Sequence, residues 1–296
     1  MKEKTGKISR RTFVGTAVGA AAASLVGGTR VAGGGETAEA RSSSRVVLIR
    51  RREVLAEDGS VVPEILHRML NEGVAALMQT ESSAAGWKRL VRPDDVVGIK
   101  SNVWTKLATP PALEQAIREE VETVGVAAGD VAVDDRGVGS NPVFRRATAL
   151  INVRPMRTHH WSGLGTCIKN LIMFVDRPSE YHGDACATLG ALWKLPQIAG
   201  KVRLNILVML TPQFHGVGPH SFSKRFVWPF YGLILGTEPA SVDATGARII
   251  QAQRNLFFGE ERPISPPPHH IEIAGSRYGL GATDPDRIEL VRLGEA

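Results

Sequence analysis

Short apolar runs alternate along the chain with stretches whose apolar residues recur at helical spacing. Arg45 to Arg50 (RVVLIR) predicts a first strand, and between Val61 and Thr80 the positions Ile65, Leu66, Met69, Leu70, Val74 and Leu77 predict a helix. Val96 to Ser101 reads as a second strand after the Arg92-Pro93-Asp94-Asp95 turn. Pro110 to Val124 reads as a second helix with proline in its first turn, and Gly125 and Gly129 end it before a short strand at Asp130 to Asp134. Ala149 to Val153 predicts a buried strand, Arg154 to Gly163 a polar loop, and Leu164 to Val175 a helix. A short helix is expected at Ala187 to Leu195 and a central strand at Val202 to Leu210. Gly232 to Gly236 predicts a strand leading into a helix at Ala240 to Arg254, and Ile271 to Ala274 and Arg287 to Leu293 predict late strands.

Strands alternating with helices predict an α/β fold: a single domain over residues 45–296, with a mostly parallel or mixed sheet covered by helices on both faces. The composition allows it, since 43% of 296 residues are apolar and 22% charged, enough for a sizeable core. Ser265-Pro266-Pro267-Pro268 reads as an extended connector within that domain.

The first forty residues follow a different pattern. A Lys/Arg-bearing start leads into a weakly apolar run from Phe13 to Gly28 and a small-residue site at Ala38-Glu39-Ala40. Ser9-Arg10-Arg11-Thr12-Phe13-Val14 resembles the twin-arginine consensus, so residues 1–40 are expected to be an export signal, residues 41–44 a flexible tether, and the twin-arginine translocase a partner. The expected location is the periplasm or outside the cell. The run of about 16 residues is short for a membrane span, which needs about 20, so no stable membrane anchor is expected.

The signal also changes the charge. The whole chain carries 36 basic and 30 acidic residues, a net +6. Removing Lys2, Lys4, Lys7, Arg10, Arg11 and Arg30 together with Glu3, Glu36 and Glu39 leaves +3. Beyond Arg50-Arg51-Arg52 no basic cluster with interleaved aromatics remains, so nucleic acid is not an expected partner.

Two cysteines, Cys167 and Cys186, permit a disulfide outside the cytoplasm but cannot hold an iron–sulfur cluster. The glycine-rich stretches at Gly137 to Ser140 and Gly275 to Gly281 fit neither a dinucleotide fingerprint nor a phosphate loop, so NAD and ATP are not supported. No G-x-S-x-G elbow is present for a serine hydrolase.

In open α/β sheets ligands bind beyond the carboxyl ends of the strands. Lys100-Ser101-Asn102, Asp134-Asp135-Arg136 and Arg157-Thr158-His159-His160 each follow a predicted strand there, and Lys169-Asn170 follows closely. Cations and helix N-termini on one rim suit a carboxylate or phosphate. His159 or His160 with His182, Asp184 or His215 also offers donors to a transition metal, although no H-E-x-x-H spacing is present and adjacent histidines on a strand face opposite ways. Lys169 beside other cations suits a lysine of lowered pKa, and Asp243 falls in the first turn of a predicted helix, where an acid complements the dipole. His269-His270, after three prolines, reads as an exposed turn.

Several of these stretches recur together in one family. Val97-Gly98-Ile99-Lys100-Ser101-Asn102, Leu150-Ile151-Asn152-Val153, Thr158-His159, Cys167-Ile168-Lys169-Asn170-Leu171, Arg203-Leu204-Asn205-Ile206 and Glu238-Pro239-Ala240-Ser241-Val242-Asp243 resemble domain-of-unknown-function family 362, over about residues 96–293. Arg157 stands where that family has lysine, Glu238 where it has aspartate, and Val208 where an aspartate is common. Some relatives append ferredoxin-like cysteine segments, which implies redox or metal traffic; two cysteines are too few for one here. The combined expectation is an anion- or cofactor-binding cleft, possessed by an enzyme or by an exported metal- or cofactor-handling protein. Its residues are Lys100, Asn102, Asn170 and Asp243 for binding, and His159 and Lys169 for acid–base chemistry.

Overall fold

Eight strands form one sheet in the computed structural model, which describes residues 43–216 and 222–294. They are β1 (Ser44–Arg50), β2 (Val97–Lys100), β3 (Val131–Asp134), β4 (Ala149–His159), β5 (Gly163–Gly165), β6 (Val202–Gln213), β7 (Gly232–Gly236) and β8 (Ile288–Gly294). The order across the sheet is β3-β2-β4-β6-β7-β1-β8, with β5 folded back on β4. β3, β2, β4 and β6 run parallel, β7 is antiparallel to both neighbours, and β8 pairs in parallel with β1. This is the mixed, mostly parallel sheet that the alternating pattern predicts. The expected signal over residues 1–40 and the first half of the expected tether lie outside the described residues. Ser44 already belongs to the fold, buried in β1 with its hydroxyl accepting from the Ala282 N–H at 2.9 Å.

The helices are α1 (Pro63–Met78), α2 (Ser83–Leu90), α3 (Pro111–Val124), α4 (Pro142–Arg145), α5 (Cys167–Asn170), α6 (Gly183–Cys186), α7 (Pro239–Phe258) and α8 (His269–Tyr278). Alternation along each strand divides the core. Val47, Ile49, Ile99, Ile151, Val153 and Ile206 point to one face and pack with the apolar stripes of α1, α2 and α3. Val46, Leu48, Leu207 and Met209 point to the other, under α7. α1 and α3 begin at proline and end in left-handed residues, Gln79 and Gly125, the second as its proline and glycine signals predict. α2 has no predicted counterpart, because only Trp87 and Leu90 form its apolar stripe; Ser82 caps it by accepting from the Ala85 N–H.

Three expectations fail, each for a tertiary reason. Arg154 to Gly163 is not a polar loop: β4 continues to His159 with every residue buried, because β5 pairs Arg157, Thr158 and His159 with Gly165, Leu164 and Gly163. The helix expected at Leu164 to Val175 is reduced to the single turn α5 and a 3₁₀ turn at Leu171–Phe174, since Gly163 to Gly165 is used as strand. Ile271 to Ala274 is not a strand but lies inside α8, where His270, Ile271 and Ala274 form a buried helical face. His270 is therefore buried rather than in an exposed turn, and its Nε2 lies 3.0 Å from the Thr166 hydroxyl. Among the described residues no helix is long and apolar enough to cross a membrane.

α7 rests directly on β6 at Gly246, where an added Cβ would overlap Leu207 Cδ2. Gly246→Ala is expected to lower unfolding free energy by about 1–2 kcal/mol in urea titration, the overpacking outweighing the helix-propensity gain.

Candidate functional site

The polar positions of the sheet gather on the α5 and α7 side. Ile99, Ile151 and Val153 face the α1–α3 core, so Lys100 at the carboxyl end of β2 and Asn152 and Arg154 in the middle of β4 face the other way. α5 lays Asn170 across them. Asn170 Oδ1 accepts from Arg154 Nη1 at 3.1 Å, Lys100 Nζ at 3.4 Å and Asn102 Nδ2 at 3.5 Å. Its Nδ2 lies 2.9 Å from Asn152 Oδ1, 3.0 Å from the Val153 carbonyl and 3.2 Å from that of Lys100. Asn152 donates onward to Asn205 Oδ1, and Asn205 to the Thr237 carbonyl, so one amide chain links β2, β4, β6 and the end of β7.

Above this seam lies a cleft of about 330 Å³. Asn102, Asp135, Arg154, Arg157, Lys169 and Asn170 form its polar wall, Ile172, Met173, Pro178 and Trp161 its apolar one. Arg157 Nη2 donates to Asn102 Oδ1 at 3.0 Å, and its guanidinium lies over the Trp104 ring, 4.4 Å from the centroid. Gly165 leaves room for Arg154, because a Cβ there would sit 2.6 Å from Nη2. Lys100 does not reach the cleft wall: it lies behind, donating to Asp135 Oδ1 at 2.5 Å, while Asp135 Oδ2 accepts from the Val103 N–H.

Lys100, Arg154, Arg157 and Lys169 are all 5% exposed or less. Burial pulls the Lys100 and Lys169 ammonium groups down to about 8, against the support of Asp135 for the first and Cys186 for the second. Arg154 and Arg157 are likewise lowered by burial. Burial alone would raise the Asp135 carboxyl, but the charge and hydrogen bond of Lys100 outweigh it and hold the group low. The Nε atoms of Arg154 and Arg157 are buried without a hydrogen-bond partner.

The histidines sit at the cleft mouth. His159 and His160 are not splayed apart, because the chain turns after His159 and their rings stack at 4.7 Å. Trp161 lies against His160 at 4.0 Å and His182 at 3.8 Å. Burial and the cations Lys169 and Arg154 drive His159 far down, so its imidazole is neutral; Nδ1 accepts from the Trp161 N–H at 3.2 Å, leaving the ring proton on Nε2. Burial and Lys169 lower His182 to about 4. His215 lies elsewhere, 3.0 Å from Arg254, so it does not join a shared ligand set. Among the described residues no three His, Cys, Asp or Glu side chains gather to hold a metal ion. Cys167 and Cys186 are buried free thiols, so the permitted disulfide is not formed; Cys186 Sγ instead receives Lys169 Nζ at 3.7 Å.

Of the expected residues, Asn102, His159, Lys169 and Asn170 line one cleft and Lys100 supports it from behind. Asp243 does not line it. Buried at the start of α7, its carboxylate accepts from the Cys167 and Ile168 N–H groups at 2.9 Å each, closing the N-terminus of α5. Burial pushes it up to about 6 against those bonds. Arg154, Asn152 and Asn205 escape a reading by apolar runs. Their trace in the sequence is the alternation Leu150-Asn152-Arg154, polar side chains on one face of a run that otherwise reads as core.

Fold and site together define an α/β protein with a buried cationic cleft at the carboxyl ends of parallel strands. A profile of the family described as Domain of unknown function (DUF362) matches residues 97–248, which hold β2 to β7 and the whole polar wall, and the chain belongs to that family. No curated protein and no solved structure matches the chain.

Asp243→Ala would orphan two buried N–H groups, each worth about 1–3 kcal/mol, and is expected to unfold at correspondingly lower urea concentration. The pH dependence has a defined sign. With its folded pKa above the unfolded value, Asp243 contributes stability below about pH 4 that is lost as pH rises through about 6, and Asp243→Asn is expected to abolish that slope.

Proposed function

We propose that this protein is exported by the twin-arginine route and binds a small anion in the Arg154–Lys169 cleft, as the binding step of an enzyme acting on that anion. The observation that carries this reading is charge. Arg154, Arg157 and Lys169 are buried without a carboxylate within ion-pair distance, because Asp135 is engaged by Lys100. Each such burial is destabilising by several kcal/mol, and a fold retains it where a ligand supplies the missing charge. The guanidinium and ammonium groups neutralise the anion, Asn102 and Asn170 hold them in place, and His159 donates from Nε2. Lys169, which lines the cleft and which burial lowers to about 8, is placed to exchange a proton with the bound anion close to neutral pH. Export rests on the Arg10-Arg11 motif and the small-residue site before Arg41.

Calorimetry with sulfate as the probe tests the cleft. Arg154→Met and Lys169→Met are each expected to weaken binding by about tenfold or more, the worth of a charge-assisted hydrogen bond, and affinity is expected to fall as pH rises through about 8. Unchanged affinity in both folded variants overturns the reading. For export, replacing Arg10 and Arg11 together by lysine is expected to leave the chain in the cytoplasm when cell fractions are blotted.

A further inference from the structure

We infer that the anion is the dianionic headgroup of a small organic phosphate monoester rather than a carboxylate, an inference that rests on the anion-binding reading above. Around the cleft four buried cations, Lys100, Arg154, Arg157 and Lys169, face two buried carboxylates, Asp135 and Asp243, an excess of two positive charges. A carboxylate neutralises one of them; a phosphate monoester near pH 7 carries close to two negative charges on a single group.

The cations are also concentrated. Arg154, Lys100 and Asn102 converge on one oxygen of Asn170, and Arg157 is one hydrogen bond further, on Asn102. That density suits two charges on one phosphorus better than two carboxylates separated along a chain. The guanidinium groups of Arg154 and Arg157 both line the cleft, and their N–H donors suit the several acceptor oxygens of such a group. The opposite wall is apolar, with Ile172, Met173, Pro178 and Trp161, and it faces the organic remainder of the molecule.

The titratable groups give this ligand a recognisable pH signature. Lys169 is faced by Cys186, Arg154, Arg157, His159, His182 and His270, and Lys100 by Asp134, Asp135 and Arg154. His159, His182 and His270 are neutral from pH 5 upward, since burial and nearby cations lower all three. Two acids are raised by burial, Asp243 to about 6 and Glu114 beside Asp135. Their protonation on acidification removes negative charge and strengthens anion binding. A loss of affinity below pH 6 therefore comes from the ligand, whose second ionisation lies near 6.

Calorimetry on the full chain with phenyl phosphate, benzoate and succinate, from pH 5 to pH 9, tests the inference without any substitution. Phenyl phosphate is expected to bind at least tenfold more tightly than either carboxylate at pH 7. Its affinity is expected to peak between about pH 6 and 8 and to fall about three- to tenfold by pH 5. Benzoate or succinate binding as tightly, or phenyl phosphate affinity holding level down to pH 5, overturns the phosphate assignment and leaves the anion cleft standing. Binding of none of the three, nor of sulfate, overturns both.

Discussion

The side-chain amide of Asn170 is the joint on which the site depends. Lys100, at the end of β2, and Arg154, midway along the adjacent parallel strand β4, point to the same face, and like charges brought this close repel in a low-dielectric interior. Asn170 resolves this with a neutral group that presents one oxygen to both cations and an amide nitrogen to the strand carbonyls beneath them. A carboxylate at this position would pair the cations and cancel the positive field. An amide holds their geometry and preserves their charge. The same chemistry continues through Asn152 and Asn205, so the wall of the cleft is fastened to four strands by hydrogen bonds between uncharged groups.

Asp243 plays the complementary part from below. It fixes the start of α5, the turn that carries both Lys169 and Asn170, by accepting from two successive backbone N–H groups. That turn is too short to hold itself in place by helical hydrogen bonding, and its position is set from outside by Asp243 and by the Asn152 contact to the Cys167 carbonyl. Lys169 and Asn170 therefore sit on a one-turn segment held at its start by Asp243 and Asn152 and at its end by the bonds of Asn170 to β4, and the rigidity comes from α7 and β4 rather than from the segment itself.

Much of this was legible from the residues. VGIK, ALINV and RLNILVML read as strands because buried parallel strands are nearly continuous apolar runs, and that Lys100, Asn102, His159, Lys169 and Asn170 come together is legible because they lie just beyond such runs. What could not be read locally is the second half of β4. Arg154, Arg157 and His159 look like loop residues until the pairing of β5 with β4 and the cleft that they line show them lying within a sheet. The short segment IEIA failed in the opposite direction: four residues are too few to separate alternation from a helical face, and only the long-range packing of Ile271 and Ala274 decides it. The role of Asp243 was also out of reach, because its carboxylate accepts from the backbone N–H groups of Cys167 and Ile168, about 75 residues away.

The placement of β1 has a consequence for the order in which this molecule can be made. β1 lies between β7 and β8, with Ser44 to Arg50 paired to Ile288 to Gly294 and Arg45 bonded to Glu289 at 2.5 Å. The first strand of the domain thus gains one neighbour only when residues 232–236 exist and the other only when residues 288–294 do. A ribosome emitting the chain from its N-terminus releases β1 long before either partner, and the sheet closes only after synthesis has passed Gly294. The fold is completed after translation of its last strand, by contacts of high sequence separation, and a chain interrupted before residue 288 leaves β1 with an open edge.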